Sequence, residues 1–230
     1  MASSNVLKKL SLATAGAACI ALGGVGTAHA DTVIDTTPSW NGSSFIGTFG
    51  QPNTATYGQT FTVGSDNVLN DFSFFLRQLT ASPLKFDGYL MAWDGAKATG
   101  NILYQSGLQS TSQQNVFQQF TFNTGGVSLT SGQKYVAFVN VSNHPDSGRG
   151  QMGFTSGDPL PGGSFVFLNN GSNFSQVTTT NWSTALSPLD AAFKATFTTA
   201  KAVPESSSVL GLLAVGALGA SQVFKRKKEQ

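Results

Sequence analysis

The sequence has very little cysteine and histidine, and each shortage excludes a class of chemistry. Its single cysteine, Cys19, lies in an apolar run near the N-terminus, so the remainder can form neither a disulfide nor a cysteine-ligated metal site. One of the two histidines, His29, lies shortly after this apolar run, so His144 is the single histidine of the remaining sequence. A zinc or copper site of usual composition is therefore excluded. Gly-x-Ser-x-Gly, the nucleophile turn of α/β-hydrolases, is also absent.

Charge is scarce as well. Residues 31–203 contain nine aspartates, no glutamate and seven lysines and arginines, because six of the thirteen basic residues lie in the terminal segments. This segment has a net charge near −2, although the whole chain has +2. A basic patch for nucleic acid is missing, so we expect no nucleic-acid partner.

Residues 1–30 have the order of a secretory signal peptide. Two lysines precede an apolar run over residues 10–25, and Ala28 and Ala30 supply the small residues that a signal peptidase requires. We expect cleavage after Ala30. A transmembrane helix is the first alternative, but the run is short and rich in Gly and Ala. A lipoprotein is the second, but its lipidated cysteine would end the apolar run, whereas Cys19 lies in the middle of it.

Residues 31–202 predict an all-β domain. They are rich in Gly, Ser, Thr, Asn, Gln and Phe, a composition that disfavours long helices. Apolar and polar residues alternate with a period of two, as half-buried strands require. In the clearest case Phe72 and Phe74 share one face, and Phe75 and Arg77 share the other. The predicted strands are 57–63, 68–79, 84–93, 116–122, 134–141, 165–168 and 191–197.

Turn residues separate these strands. Clusters of Gly and Asn at 123–126, 131–132, 161–163 and 169–171 tolerate the positive φ of tight turns. Many short strands without a helical period predict a β-sandwich. The number of strands favours a jelly roll over a simple Greek key.

The segment 203–230 combines three features. A short motif, Val203, Pro204 and Glu205, precedes three serines, and an apolar stretch follows over residues 209–224. Proline keeps the motif extended for an enzyme to bind, and the apolar stretch partitions into the bilayer. A basic tail then stays on the cytoplasmic side. Its residues are Lys225, Arg226, Lys227 and Lys228.

This arrangement resembles the PEP-CTERM sorting signal, with Ser206 at the place of the second proline. The resemblance implies export, transient insertion in the inner membrane of a Gram-negative-type bacterium, and processing by an exosortase. Delivery to the cell surface or to an exopolysaccharide or biofilm matrix would follow. The alternative is a plain membrane anchor, although the 16 residues of 209–224 extend only about 24 Å against a hydrocarbon core of about 30 Å.

More weakly, the body resembles the choice-of-anchor type β domains that such proteins carry. This resemblance supports the fold more than a function. The matching stretches are 58–61, 72–76, 92–95, 135–138 and 191–193.

Few groups are suited to catalysis. His144 falls in a turn-rich segment, where an exposed loop histidine is expected rather than a catalytic one. A glycosidase needs two carboxylates, and the pairs Asp87 with Asp94 and Asp66 with Asp71 are the candidates. Asp87 and Asp94 each precede a glycine, which is typical of turns. We therefore assign no catalytic residue.

Calcium is a further candidate ligand. Asp31, Asp35 and Asp190 lie near the first and last predicted strands, which neighbour each other in many sandwiches, and carboxylate oxygens suit this ion. Three scattered aspartates form no known motif, so no cofactor is predicted.

Aromatic side chains remain, because their rings stack on sugars. Trp182 is the best candidate, since it lies in a polar stretch, whereas core packing is the alternative for every aromatic residue. The other candidates are Trp40, Trp93, Tyr57, Tyr89 and Tyr104.

Three functions stay open. The first is a non-catalytic protein of the cell surface or extracellular matrix, and the second is a carbohydrate-binding module for exopolysaccharide. A secreted glycan-active enzyme is the third and least favoured. An exposed row of aromatic rings on one sheet would favour the second, and a pocket with paired carboxylates the third.

Overall fold

A computed structural model describes residues 31–184 and 189–200 of the chain. The predicted signal peptide, 1–30, and the predicted sorting segment, 203–230, lie outside the described residues. Within the described ranges, no helix is long and apolar enough to cross a membrane.

The regular structure of the described chain is almost entirely β-strand, which confirms the all-β prediction. Its helical parts are a 3₁₀ turn at Thr37–Ser39 and a single turn, α1, at Gln176–Thr179. The strands are β1 (Thr32–Asp35), β2 (Phe45–Phe49), β3 (Thr56–Thr62), β4 (Val68–Gln78), β5 (Lys85–Trp93), β6 (Ala98–Gln105), β7 (Gln109–Ser110), β8 (Gln118–Ser128), β9 (Lys134–Asn140), β10 (Gly150–Ser156), β11 (Ser164–Leu168), β12 (Ser183–Thr184), β13 (Leu189–Ala191) and β14 (Phe193–Thr198).

The strands form two antiparallel sheets that pack as a sandwich. Sheet one has the order β1-β14-β4-β10-β13, with β8 also paired to β4 and β2 to β10. Sheet two has the order β12-β11-β3-β9-β5-β6, with β7 also paired to β5. The first and last strands, β1 and β14, are neighbours in sheet one.

Each predicted strand segment contains a strand, but the turn predicted at 123–126 is wrong. These residues lie inside β8, where the pairing with β4 shifts register between Leu69 and Asp71. Gly125 and Gly126 take φ values of +75° and +91° there. Their conformational freedom therefore forms a bulge within the strand and does not end it. Six strands were not predicted: β1, β2, β6, β7, β10 and β12.

Phenylalanine rings fill the space between the sheets. The ring of Phe61, from sheet two, lies 5.8 Å from the rings of both Phe193 and Phe197, from sheet one. Phe74 is fully buried and its ring lies 5.2 Å from that of Phe193. Because burying one such side chain contributes about 1.5–3 kcal/mol, this cluster stabilises the sandwich without a disulfide.

Close packing leaves no room for a side chain at Gly88 of β5. A Cβ atom there would lie 2.3–2.7 Å from ring atoms of Phe122, which belongs to the opposite sheet. Carbon atoms do not approach this closely, so the inner face of β5 requires glycine at this position.

A buried polar bridge also joins the sheets. Gln59 of β3 donates a hydrogen bond from Nε2 to Oδ1 of Asp190 at 2.6 Å, and its Oε1 accepts from the Ala191 amide at 2.8 Å. The other carboxylate oxygen of Asp190 accepts from the Leu160 amide at 3.0 Å. Burial removes water from this carboxylate and raises the pKa of Asp190 above its ordinary value.

The outer face of sheet two is covered by residues 169–184, which fold back over it. The ring of Trp182 lies 5.3 Å from Phe138 and 5.5 Å from Trp93, and its indole Nε1 donates to the Val177 carbonyl at 2.9 Å. Tyr89 stacks on Phe138 at 5.0 Å. A second hydrophobic cluster therefore lies outside the sandwich interior.

We predict that Gly88→Ala lowers the free energy of unfolding of residues 31–202 by about 1–3 kcal/mol, because the new methyl group overpacks the core against Phe122. Urea denaturation measures this change. Gly107→Ala is the matched control, since a Cβ at Gly107 meets no atom within 4 Å. Equal stability of the two variants would contradict the packing described here.

We also predict that Asp190 makes stability depend on pH. Its pKa is raised in the folded state, so the native protein binds the proton more readily than the unfolded chain does. The contribution of this group is then fully present below its ordinary pKa of about 4 and is lost as the pH rises through the raised pKa of the folded state. Asp190→Asn removes this titration and loses one hydrogen bond at every pH. Wild type should lose stability relative to the variant over this interval in urea titrations, and parallel pH profiles would refute the assignment.

Candidate functional site

The outer face of sheet one carries a cluster of aromatic rings around one arginine. Alternation along β4 points Phe72 and Phe74 into the core, so Phe75 and Arg77 face outward. Pairing of β4 with β10 and of β10 with β2 brings further side chains beside them. We call this cluster the aromatic platform; it comprises Trp40, Phe45, Phe75, Arg77 and Phe117.

Arg77 holds the centre of the platform. Its guanidinium carbon lies 4.6 Å from the centre of the Phe45 ring and 4.7 Å from that of Phe117. Its Nε donates to Oε1 of Gln151, the neighbouring residue on β10, at 2.7 Å. Cation–π attraction and this hydrogen bond fix the arginine between the two rings.

Trp40 packs against the other platform residues because Gly153 lies beneath its indole ring. A Cβ at Gly153 would lie 2.8 Å from the indole. The indole lies 4.8 Å from the Phe75 ring and 5.0 Å from the Phe117 ring, and its Nε1 donates to the Ser44 carbonyl at 2.9 Å. The indole ring is positioned by the 3₁₀ turn before Trp40 and by this hydrogen bond to the loop after it.

The platform is open to solvent and has a polar border. Phe45 is 43% exposed, and Trp40 and Phe75 are half-buried. Gln119 is exposed and lies beside Phe75 on the same face, and its Nε2 donates a hydrogen bond of 3.2 Å to the hydroxyl of Ser73, which is buried beneath it. Aromatic rings beside an arginine and an exposed amide form a surface that can contact both the apolar face and the hydroxyl groups of a ligand.

The structure places the predicted ligand contact, Trp182, elsewhere. Only 6% of Trp182 is exposed, because residues 169–184 fold over sheet two and bury it. The expectation that its polar neighbours in sequence expose it is wrong. Of the other aromatic candidates, Tyr57 and Tyr89 are also buried, and Trp40 belongs to the platform. Trp93 and Tyr104 are half-buried.

The sequence alone does not identify Phe45, Phe75, Phe117 and Arg77 as site residues. A signal was present for two of them, since the alternation of β4 placed Phe75 and Arg77 together on one face. A phenylalanine is unusual on the outward face of a strand, where polar side chains such as arginine are expected. No local pattern placed Phe45 and Phe117 beside them, because Phe45 comes from β2 and Phe117 from the segment just before β8.

The three calcium candidates do not converge. Asp31 and Asp35 lie at the exposed β1 edge of sheet one, whereas Asp190 lies on β13 at the other end of the strand order. Asp190 is buried and uses both carboxylate oxygens within the protein. Among the described residues, no group of three or more His, Cys, Asp or Glu could hold a metal ion.

His144 and Asp87 lie together. His144 lies in the turn-rich loop after β9, as predicted, but its side chain is only 16% exposed, and Asp87 lies in a strand and not in a turn. Asp87 is buried within β5, and Nε2 of His144 approaches its Oδ2 at 3.2 Å without the alignment of a hydrogen bond. Tyr89 donates its hydroxyl to the same oxygen at 3.2 Å. Burial, followed by the Asp87 carboxylate, raises the pKa of Tyr89 above its usual range. These contacts attach the loop after β9 to sheet two.

The other aspartates of the proposed carboxylate pairs serve local roles. Asp94 accepts hydrogen bonds from the amides of Ala96 and Lys97, both at 2.8 Å, and these bonds lower the pKa of Asp94 to about 2. Asp94 therefore forms the turn that its sequence predicted. Asp71 accepts from the Thr196 hydroxyl at 3.3 Å, across the β4–β14 pair.

No protein-family model matches this chain, and no curated protein matches it. Among the solved structures that resemble part of it are two of a clostridial protein. One contains the cysteine protease and lectin-like domains of Cwp84, a surface layer associated protein of Clostridium difficile, at 12% identity and a TM-score of 0.43 over 64% of this chain. The other is the clostridial cysteine protease Cwp84 after propeptide cleavage, at 13% identity and a TM-score of 0.40 over 67% of this chain. The chain spans 33% and 38% of the lengths of these two proteins, and so distant a likeness assigns no function.

Proposed function

We propose that this protein is a non-catalytic protein of the cell surface or extracellular matrix whose sandwich binds polysaccharide. The aromatic platform supports this function over a purely structural role. Its rings lie on the outer face of a sheet, with Arg77 between two of them and the exposed amide of Gln119 beside them. A pyranose ring has the complementary character, with an apolar face of C–H groups and hydroxyls around its rim.

Rigidity favours binding at this surface. Arg77 is fixed between two rings, and Trp40 is fixed by its indole hydrogen bond and by two ring contacts. Side chains that are already ordered lose little conformational entropy when a ligand arrives. The platform lies on the outer face of a sheet, where a long polymer can extend across it.

Delivery is the second part of the proposal. The signal peptide pattern supports export, and the sorting motif with its apolar stretch and basic tail supports processing by an exosortase-like enzyme. The proposal retains the jelly-roll topology, supported by the many short antiparallel strands and by the adjacency of β1 and β14.

We predict that Phe45→Ala combined with Phe117→Ala weakens polysaccharide binding by about tenfold or more. The reason is that the double variant removes both of the rings that lie against Arg77. The full chain, purified in detergent, is measured by biolayer interferometry on a panel of immobilised polysaccharides. Leu108→Ala is the control, since Leu108 is 56% exposed and lies outside the platform. The proposed function would be refuted if the wild-type chain bound none of the polysaccharides. It would also be refuted if the chain bound to itself and the platform variant abolished that self-association.

For delivery, we predict that replacing Pro204 and Glu205 by Ala leaves export intact but retains a full-length, membrane-bound form. The signal peptide and the apolar stretch are untouched, whereas the proposed processing motif is removed. Intact mass of the surface-extracted protein gives the result. If the wild-type protein retains residues 205–230 and the substitutions change nothing, the tail is a plain anchor.

A further inference from the structure

A polar cleft lies beside the aromatic platform. It is lined by Thr48, Gly50, Asn53, Thr54 and Arg149, and its volume is about 220 Å³. Pockets for whole small molecules have roughly 300–1,000 Å³. The cleft therefore suits one substituent of a larger ligand, with aromatic stacking left to the platform.

Strands β2 and β10 connect the cleft to the platform. Thr48 follows Phe45 by three residues on β2, and Arg149 precedes Gln151 of β10 by two residues. The Leu79 amide donates to the Arg149 carbonyl at 2.8 Å, so extended pairing continues back to Arg149. Alternation then places the Arg149 side chain on the face of Gln151, about 7 Å away along the strand. One ligand can contact both places.

Arg149 has a charge that the described residues leave unpaired. Asp146, the acidic residue nearest to Arg149 in sequence, pairs with Lys85, and Asp94 pairs with Lys97. Among residues 31–184 and 189–200, no carboxylate lies within ion-pair distance of Arg149. The guanidinium of Arg149 is thus exposed in a cleft whose other side chains carry hydroxyl groups or an amide.

The turn opposite Arg149 is shaped to admit it. Gly50 has a φ of +143°, and a Cβ at this position would lie 3.3 Å from both Cα and Cγ of Arg149. The Gly50 amide donates to the Thr54 carbonyl at 2.8 Å, which closes the turn. A residue with a side chain would crowd the arginine stem and narrow the cleft.

We infer that this cleft takes the anionic group of an acidic polysaccharide, either a carboxylate or a sulfate ester. The inference rests on the proposed function and specifies its substrate class. A guanidinium offers parallel N–H donors that match two oxygens of such a group. Thr48 and Asn53 supply further polar groups around the same space. The platform then stacks on the sugar rings, and the cleft selects those that carry charge.

The test compares alginate, which carries carboxylates, and dextran sulfate, which carries sulfate esters, with neutral dextran. The full chain in detergent is measured by biolayer interferometry at low and high salt. We expect at least one acidic polymer to bind about tenfold more tightly than dextran at low salt, and the preference to shrink as salt screens the charge. The polymer that shows the preference identifies the anionic group.

Arg149→Gln should remove most of this preference and leave dextran binding unchanged. Lys134→Gln is the matched control, because it removes one positive charge from sheet two and should keep the preference. Thr48→Asp is a second variant that leaves Arg149 in place, and its carboxylate should repel the acidic polymers from the cleft.

The inference is overturned if both acidic polymers bind no better than dextran, or if Arg149→Gln and Lys134→Gln have equal effects. In either case the loss of dextran binding in the platform variant would still support the proposed function. If the wild-type chain binds none of the three polymers and no other polysaccharide, the proposed function fails together with the inference.

Discussion

Contact between phenylalanine rings across the sandwich is the interaction on which the other features depend. Phe61 meets Phe193 and Phe197 from the opposite sheet, and all three are almost completely buried. With Cys19 as the single cysteine of the sequence, no disulfide can replace this packing. The interior therefore supplies the rigidity that an exposed site on the outer face of a sheet requires.

The two outer faces of the sandwich differ because the chain folds back over only one of them. Residues 169–184 cover sheet two and bury Trp182 against Phe138. The outer face of sheet one carries the 3₁₀ turn and the Trp40 loop, which leave Phe45 exposed. The same type of side chain thus stabilises the fold on one sheet and forms a candidate binding surface on the other.

The sequence predicts strands well where one face is buried against the core, because such strands alternate strictly. It does not predict β10, whose glycines and glutamine become a strand through pairing with β4 and β2. The site follows the same division. Outward placement of Phe75 and Arg77 is a local property of β4, whereas the meeting of Phe45 and Phe117 at Arg77 depends on strand order. The burial of Trp182 depends on a distant segment, which local composition does not reveal.

The pairing of β14 has a mechanical consequence. The described chain leaves β14 after Thr198, opposite Val68, whereas Arg77 lies nine residues further along β4, a distance of about 30 Å. If a polymer pulls on the Arg77 end and the cell holds the chain beyond Thr198, the force runs along the strands. The hydrogen bonds between β4 and β14 are then loaded in shear and resist together, and they do not open one after another. Such a sandwich withstands more tension than one whose terminal strand is peeled from its edge.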